Sequence, residues 1–180
     1  MADFNEALNI VLKNEGGYVN SKYDSGGETN WGITKETARK FGYKGEMKDL
    51  PIETAKEIYK KGYWEPLHLS EVTSQNIANE IFDTAVICGV GTAAKFVQRT
   101  LNVLNRNETD WKDIKVDGII GNETIFALNT AIKKRESNIL ITFGILQGYR
   151  YIEIAEQRKK DEFNINGWIN RIKLMFKKII

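Results

Sequence analysis

Glu15 and Asp24 stand nine positions apart, separated by Gly16, Gly17 and Tyr18 and followed by Ser25, Gly26 and Gly27. Two carboxylates brought together by glycine-rich turns can share acid and base work, one protonating a leaving oxygen while the other activates water or attacks carbon. Hydrolysis of a glycosidic bond needs that division of roles. Thr29 and Asn30 follow the turn as a hydroxyl and an amide suited to positioning a water. Each residue also has an ordinary explanation, because glutamates near helix ends are commonly solvated and Asp before Ser-Gly-Gly is a turn former. Taken alone, these residues point to a two-carboxylate hydrolase as one reading among others.

The elements that must hold them can be read from periodicity. Phe4, Ala7, Leu8, Val11 and Leu12 fall on one helical face, which predicts a helix over residues 3–13. Asp3 is placed as its N-cap, Glu6 lies three residues on as in a capping box, and Gly16 or Gly17 suits the left-handed position past its end. Glu15 then sits at the helix C-terminus, where the negative end of the helix dipole disfavours the ionised carboxylate and suits a general acid. Tyr18, Val19 and Tyr23 favour strand, and Ser25-Gly26-Gly27 favours a turn, so the stretch predicts an irregular hairpin carrying Asp24 beside Glu15.

Helical patterning dominates the remainder. Pro51 opens a helix with Ala55, Ile58 and Tyr59 on its apolar side, and Gly62 is expected to end it. Tyr63 and Trp64 follow; with Tyr18 and Trp31 they can stack on sugar faces or simply pack in the core. Ile77, Ala78, Ile81, Phe82, Ala85 and Val86 predict a central buried helix. Asp83 lies beside that face, either bonded to the backbone of the hairpin or turned to solvent, with a structural role favoured. Gly89 and Gly91 read as a helix break before a helix from Thr92 to about Leu104, since the spacing ahead of Lys95 lacks a full phosphate-loop pattern. A boundary near residue 92 divides the chain into 1–92 and 93–180, with the two parts expected to pack closely. Further on, Asp117, Gly118 and Gly121 build a tight loop, and Thr124 lies in the first turn of a helix whose apolar side includes Ile125, Leu128 and Ile132.

Composition narrows the class. A chain of 180 residues with 42% hydrophobic content can bury a core as one domain or two small ones. No stretch approaches the roughly 20 apolar residues of a membrane span, so stable membrane insertion is not expected. The N-terminal region lacks the pattern of a Sec signal. Cys88 is the only cysteine and His68 the only histidine, which leaves no intramolecular disulfide, no usual zinc set and a poor basis for Cys-His catalysis. Residues 1–92 carry 10 basic and 14 acidic side chains, net −4, whereas 93–180 carry 16 and 10, net +6. A basic C-terminal half suits an anionic wall. Arg171, Lys173, Lys177 and Lys178 interleave with Ile172, Leu174, Met175 and Phe176, a pattern of either a solvated helix face or an anionic membrane surface. Nucleic acid is disfavoured because no recognition motif accompanies the charge.

Glu15-Gly16-Gly17-Tyr18, Asp24-x-Gly26-Gly27-x-Thr29 and Gly32-Ile33-Thr34 together resemble the signature of the glycoside hydrolase 108 family, lysozyme-like N-acetylmuramidases of bacteria and phages that include secretion activator proteins. The resemblance runs on through Tyr63-Trp64 and Ile81–Val86 to Gly167-Trp168-Ile169-Asn170-Arg171, and the Asp117–Thr124 stretch resembles the Asp-Gly-x-x-Gly-x-x-Thr turn of peptidoglycan-binding domains. It implies a mainly α, lysozyme-like helical fold with a short irregular β-hairpin beside the active site. It further implies Glu15 as catalytic acid, Asp24 as its partner, Thr29 as third member and Tyr18, Asn30, Trp31, Tyr63 and Trp64 along the glycan.

The sequence departs from related patterns at two places. Thr29 arrives one residue earlier than in the Glu-x8-Asp-x5-Thr triad of phage lysozymes, and Cys88 stands where asparagine is usual. The implied substrate is peptidoglycan, with no cofactor. A monomer made in the bacterial cytoplasm is expected to reach the wall or periplasm through a holin or a dedicated exporter. Lytic transglycosylase chemistry and a non-catalytic wall-binding or secretion role are the rival readings.

Overall fold

In the computed structural model of this protein the described residues are 1–14, 17–20 and 27–177. The first helix, α1, spans Phe4–Asn14, and its start is capped as the sequence predicts: Glu6 N–H donates to Asp3 Oδ1 at 2.8 Å. The other half of the cap comes from elsewhere in the chain. Gln75 Oε1 accepts from Asp3 N–H at 2.6 Å and its Nε2 donates to the Asp3 carbonyl at 3.0 Å, so a tertiary contact takes the part expected of Glu6.

Three short strands follow, β1 (Val19–Asn20), β2 (Glu28–Asn30) and β3 (Ile33–Thr34), forming an antiparallel sheet in the order β1-β2-β3. The sheet extends the expected hairpin by one strand. Trp31 and Gly32 form a two-residue connection with φ of 54° and 74°, the left-handed pair that matches hairpin twist. Thr34 caps the short α2 (Lys35–Lys40) by accepting from Thr37 N–H at 3.1 Å.

Helix α3 spans Ile52–Tyr59, and the chain does not stop at Gly62 as expected. It continues through a π-helical turn, Lys60–Trp64, and a 3-10 turn, Glu65–Leu67, until His68 adopts a left-handed conformation. Gly62 serves packing instead: a Cβ there would lie 2.9 Å from the Phe41 ring.

The centre of the molecule is α4 (Gln75–Cys88), capped by Ser74 Oγ, which accepts from Ile77 N–H at 3.2 Å. Gly89, with φ of 89°, separates it from α5 (Val90–Leu104), which starts two residues before the expected Thr92. The long α6 (Asn122–Gln157) bends at Arg135 and is followed by α7 (Ile165–Lys177). Helices α5 and α6 pack on α4, and α7 packs on α6. Gly144 and Gly148 make the last approach close, since a Cβ on Gly144 would meet the Met175 methyl and one on Gly148 would lie 3.0 Å from Ile172. Polar bonds also join the halves: Gln147 Nε2 donates to Thr84 Oγ1 at 2.8 Å, Ser74 Oγ donates to Glu136, and Asn129 Nδ2 donates to the Glu71 carbonyl at 2.9 Å.

Two loop devices in the C-terminal half invite measurement. Gly118 has φ of 84°, and a methyl there would sit 3.1 Å from the Gly91 carbonyl oxygen. Gly118→Ala is therefore expected to lower stability by about 1–2 kcal/mol, seen as a reduced urea midpoint with unchanged slope. At the bend of α6, Asp110 is bonded by Lys134 and by Arg135, the latter at 2.6 Å. The Lys134 hydrogen bond first, with Arg135 adding to it against the effect of burial, holds the Asp110 carboxyl below its ordinary value. A lowered folded-state value stabilises above the unfolded Asp value of about 3.9 and is lost as pH falls through the folded one. The stability gap between wild type and Asp110→Asn is expected to stay constant from about pH 6 to 8 and to close below about pH 4.

Candidate active site

Glu15, Gly16, Asp24 and Gly26 lie outside the described residues; the segments that precede and follow them in the chain are α1 and the three strands. Helix α1 ends at Asn14, immediately before Glu15, and its position is set by burial of Ala7, Leu8 and Val11 and by aromatic edges. Phe4 meets the Trp64 ring at 5.6 Å and the Phe82 ring at 6.0 Å, both edge to face, which ties α1 to the π-turn and to α4.

Gly17 and Tyr18 lead into β1. Tyr18 is exposed, and its hydroxyl donates to Glu28 Oε1 at 2.8 Å across the strand pair. Lys35 holds the other oxygen of Glu28 at 2.9 Å. The Lys35 bond first, and the Tyr18 bond second, keep the Glu28 carboxyl below the usual range. Glu28 is thus anionic at neutral pH and serves as a clasp between β1, β2 and α2. Sequence reasoning passed over it; its signal was an acidic residue within reach of Lys35 on the far side of a two-residue hairpin. Gly27, with φ of 65°, leads into β2.

Thr29 occupies the middle strand, paired with Val19 on one side and Thr34 on the other, and is half-buried. Asn30 is buried, and its Nδ2 donates to the Met47 carbonyl at 2.7 Å and to that of Lys48 at 3.2 Å. That amide nitrogen fixes the sheet to the 3-10 turn Met47–Asp49, so Asn30 is a structural anchor. Trp31 is half-buried in its left-handed conformation, its indole N–H donating to the Leu50 carbonyl at 3.0 Å while Tyr59 OH donates to the Trp31 carbonyl at 3.0 Å. Those two bonds hold a backbone geometry that a non-glycine residue seldom adopts.

Tyr63 is half-buried against Tyr59, ring centres 5.8 Å apart. Trp64 is only 1% exposed, wedged against Phe4 and Phe82, with its indole N–H donating to Ser70 Oγ at 2.7 Å. Trp64 offers no face to a sugar; the π-turn carries it inward, and of its two expected roles the structure assigns core packing. Asp83 is also buried. It accepts from Arg171 at 2.6 Å, so it does not face solvent but joins α4 to α7. Beside this pair a cleft of about 470 Å³ opens between α1, α4 and α7, bordered by Ile10, Asn79, Glu80 and Leu174. Burial pushes the Cys88 thiol up to about 11, which leaves it protonated at neutral pH.

In the C-terminal half, Asp117 Oδ1 accepts from Ile119 N–H and from Gln98 Nε2, both at 2.9 Å. Gln98 also accepts from Gly118 N–H at 2.9 Å, so this buried amide organises the whole loop. Its signal in the sequence was a polar residue on the apolar face of α5. Gly121 precedes α6 as its N-cap, and Thr124 is buried in the first turn. The motif residues Asp117, Gly118 and Thr124 are all committed to the fold.

Helix order, the small three-stranded sheet and the C-terminal helices define a mainly α protein of the lysozyme-like class. Residues 8–89 match the family model of glycosyl hydrolase 108, and residues 92–173 match that of a predicted peptidoglycan domain. Residues 8–89 are thus a glycosyl hydrolase 108 domain and residues 92–173 a peptidoglycan domain, and together they describe a peptidoglycan-related glycosidase. The solved structure of Brucella abortus SagA has the same fold, with a TM-score of 0.76 at 24% identity over 98% of this chain and 92% of that one. No curated protein matches this chain.

The buried Trp64 yields a direct check. Trp64→Phe is expected to cost about 1–3 kcal/mol through lost volume and the lost bond to Ser70, read as a lower thermal midpoint.

Proposed function

We propose that this protein hydrolyses the β-1,4 bond between N-acetylmuramic acid and N-acetylglucosamine in peptidoglycan. Glu15 is the general acid and Asp24 the partner carboxylate, and the reaction needs no cofactor. The observation that carries this reading is the family match over 8–89, which includes both carboxylates, joined to a peptidoglycan domain over 92–173. The placement of Glu15 directly after α1 supports it, since a carboxyl at a helix C-terminus holds its proton more tightly. Protonation of the glycosidic oxygen by Glu15 accompanies bond cleavage, and the Asp24 carboxylate either activates water or attacks the anomeric carbon. Separations of about 6.5–9.5 Å correspond to inversion and about 5–5.5 Å to retention, so the anomer first formed reports which occurs. Thr29 lies on β2, and the exposed Tyr18 and the half-buried Trp31 and Tyr63 are the aromatic surfaces left for the glycan. Access to the wall is through a holin or a dedicated exporter, and the protein acts as a monomer.

Glu15→Gln is expected to remain folded and to lose about 10²–10⁴-fold of its activity on purified peptidoglycan, with reducing-end muropeptides as the wild-type product. A 1,6-anhydro end would identify a lytic transglycosylase instead. Equal clearing by both forms would move the acid elsewhere, and wall binding without cleavage by either would make the chain a binding accessory.

A further inference from the structure

Helices α6 and α7 form an antiparallel pair whose two long sides differ in what they meet. One side faces the catalytic half: Gln147 bonds Thr84 and Arg171 bonds Asp83. The seam between the helices is marked by Gly144 against Met175 and Phe176 and by Gly148 against Ile172. On α6, Ile141, Ile145 and Ile152 stand three, four or seven positions from Gly148, which places them on one flank of that seam, turned away from Gln147. Ile169 and Phe176 stand three and four positions from Ile172 and flank the seam on α7, with Lys173 farther round the same side, turned away from Arg171. Because the helices run antiparallel and right-handed, the two flanks fall on the same side of the pair. The result is a strip of aliphatic and aromatic side chains in which Ile145 is 61% exposed and Ile169 43%. Along α7 it forms a groove walled by Phe176 and by the stems of Lys173 and Lys177.

We propose that this strip seats the protein on an anionic phospholipid surface. An amphipathic face of this kind buries its apolar residues at the boundary between headgroups and acyl chains, while lysines at its margin meet the phosphates. Charge complementarity argues for that occupant, since Lys173 and Lys177 border the apolar groove and offer cations at its margin to lipid phosphates. The side-chain chemistry also favours lipid over glycan: the strip is mainly isoleucine, whereas sugar platforms are aromatic. Glu156, one turn beyond Ile152, marks where the strip ends. Among the described residues no helix is long and apolar enough to cross a membrane, so attachment is peripheral. Peripheral seating would hold the glycosidase at the membrane face of the wall it acts on.

The test is co-sedimentation with vesicles of phosphatidylcholine alone and of an equal mixture with phosphatidylglycerol, using the whole chain. Binding is expected to the mixture and not to phosphatidylcholine, and to weaken as salt rises. Ile145→Asp is expected to reduce it at least about ten-fold, from lost burial and added negative charge, and Lys173→Gln about five-fold. Phe126→Ser changes an exposed ring at the other end of α6, beyond its bend, and is expected to leave vesicle binding unaltered. Circular dichroism shows that each variant is folded. Absence of wild-type binding, or equal binding to both vesicle types, would overturn the proposal. A wild-type dimer dissociated by Ile145→Asp, or peptidoglycan binding lost in that variant with vesicle binding intact, would assign the strip to another occupant.

Discussion

Burial of α4 on nearly every side is the constraint on which the remaining structure depends. Ile77, Ala78, Ile81, Phe82 and Ala85 lie in the core, but so do Asn79, Asp83 and Thr84. A buried polar group without a partner costs more than its bond would contribute, so each must be answered by a neighbouring element. Gln75 answers Asn79, Gln147 of α6 answers Thr84, and Arg171 of α7 answers Asp83. The C-terminal half therefore does more than accompany the catalytic half: it completes the polar pairing of the catalytic half's central helix.

The same helix fixes the helix that precedes the proposed acid. Gln75 closes the start of α1, and Phe82, Phe4 and Trp64 interlock at its flank, so the helix that leads into Glu15 is held at its beginning and along its length. The sheet is secured independently by the Asn30 amide, by the Trp31 indole and by the clasp at Glu28. Of the side chains expected along the glycan, Asn30 and Trp64 are buried in the scaffold, Trp31 and Tyr63 are half-buried, and Tyr18 is exposed. A short helix and a short sheet need many such anchors, because neither element has enough surface of its own to hold position.

Linking a glycosidase domain to a peptidoglycan domain through shared helix packing also shapes what surfaces remain. The side of α6 and α7 that satisfies α4 is unavailable to ligands, and their opposite side carries the apolar strip. Conversely, the loop around Asp117 is occupied with its own hydrogen bonds to Gln98, which makes it a folding unit more than a ligand contact.

Local signals were legible in the sequence where they act over a few residues. The first helix, its Asp3 cap, the central helix and the break at Gly89 could be read from periodicity, side-chain reach and the left-handed tolerance of glycine. The carboxylate pair was proposed from residue type, spacing and family resemblance, and Glu15 and Asp24 lie outside the described residues. Tertiary structure decided the rest. Gly62 reads as a stop by local rules, yet a ring from Phe41 uses its missing side chain while the helix widens into a π-turn and carries on. Trp64 was turned inward by that widening, Asp83 was given a partner 88 positions away, and the polar Gln98 found a loop on which to spend all its bonds. In each case the deciding partner is distant in the chain, and spacing along a sequence carries no information about which distant side chain will arrive to fill a space or satisfy a bond.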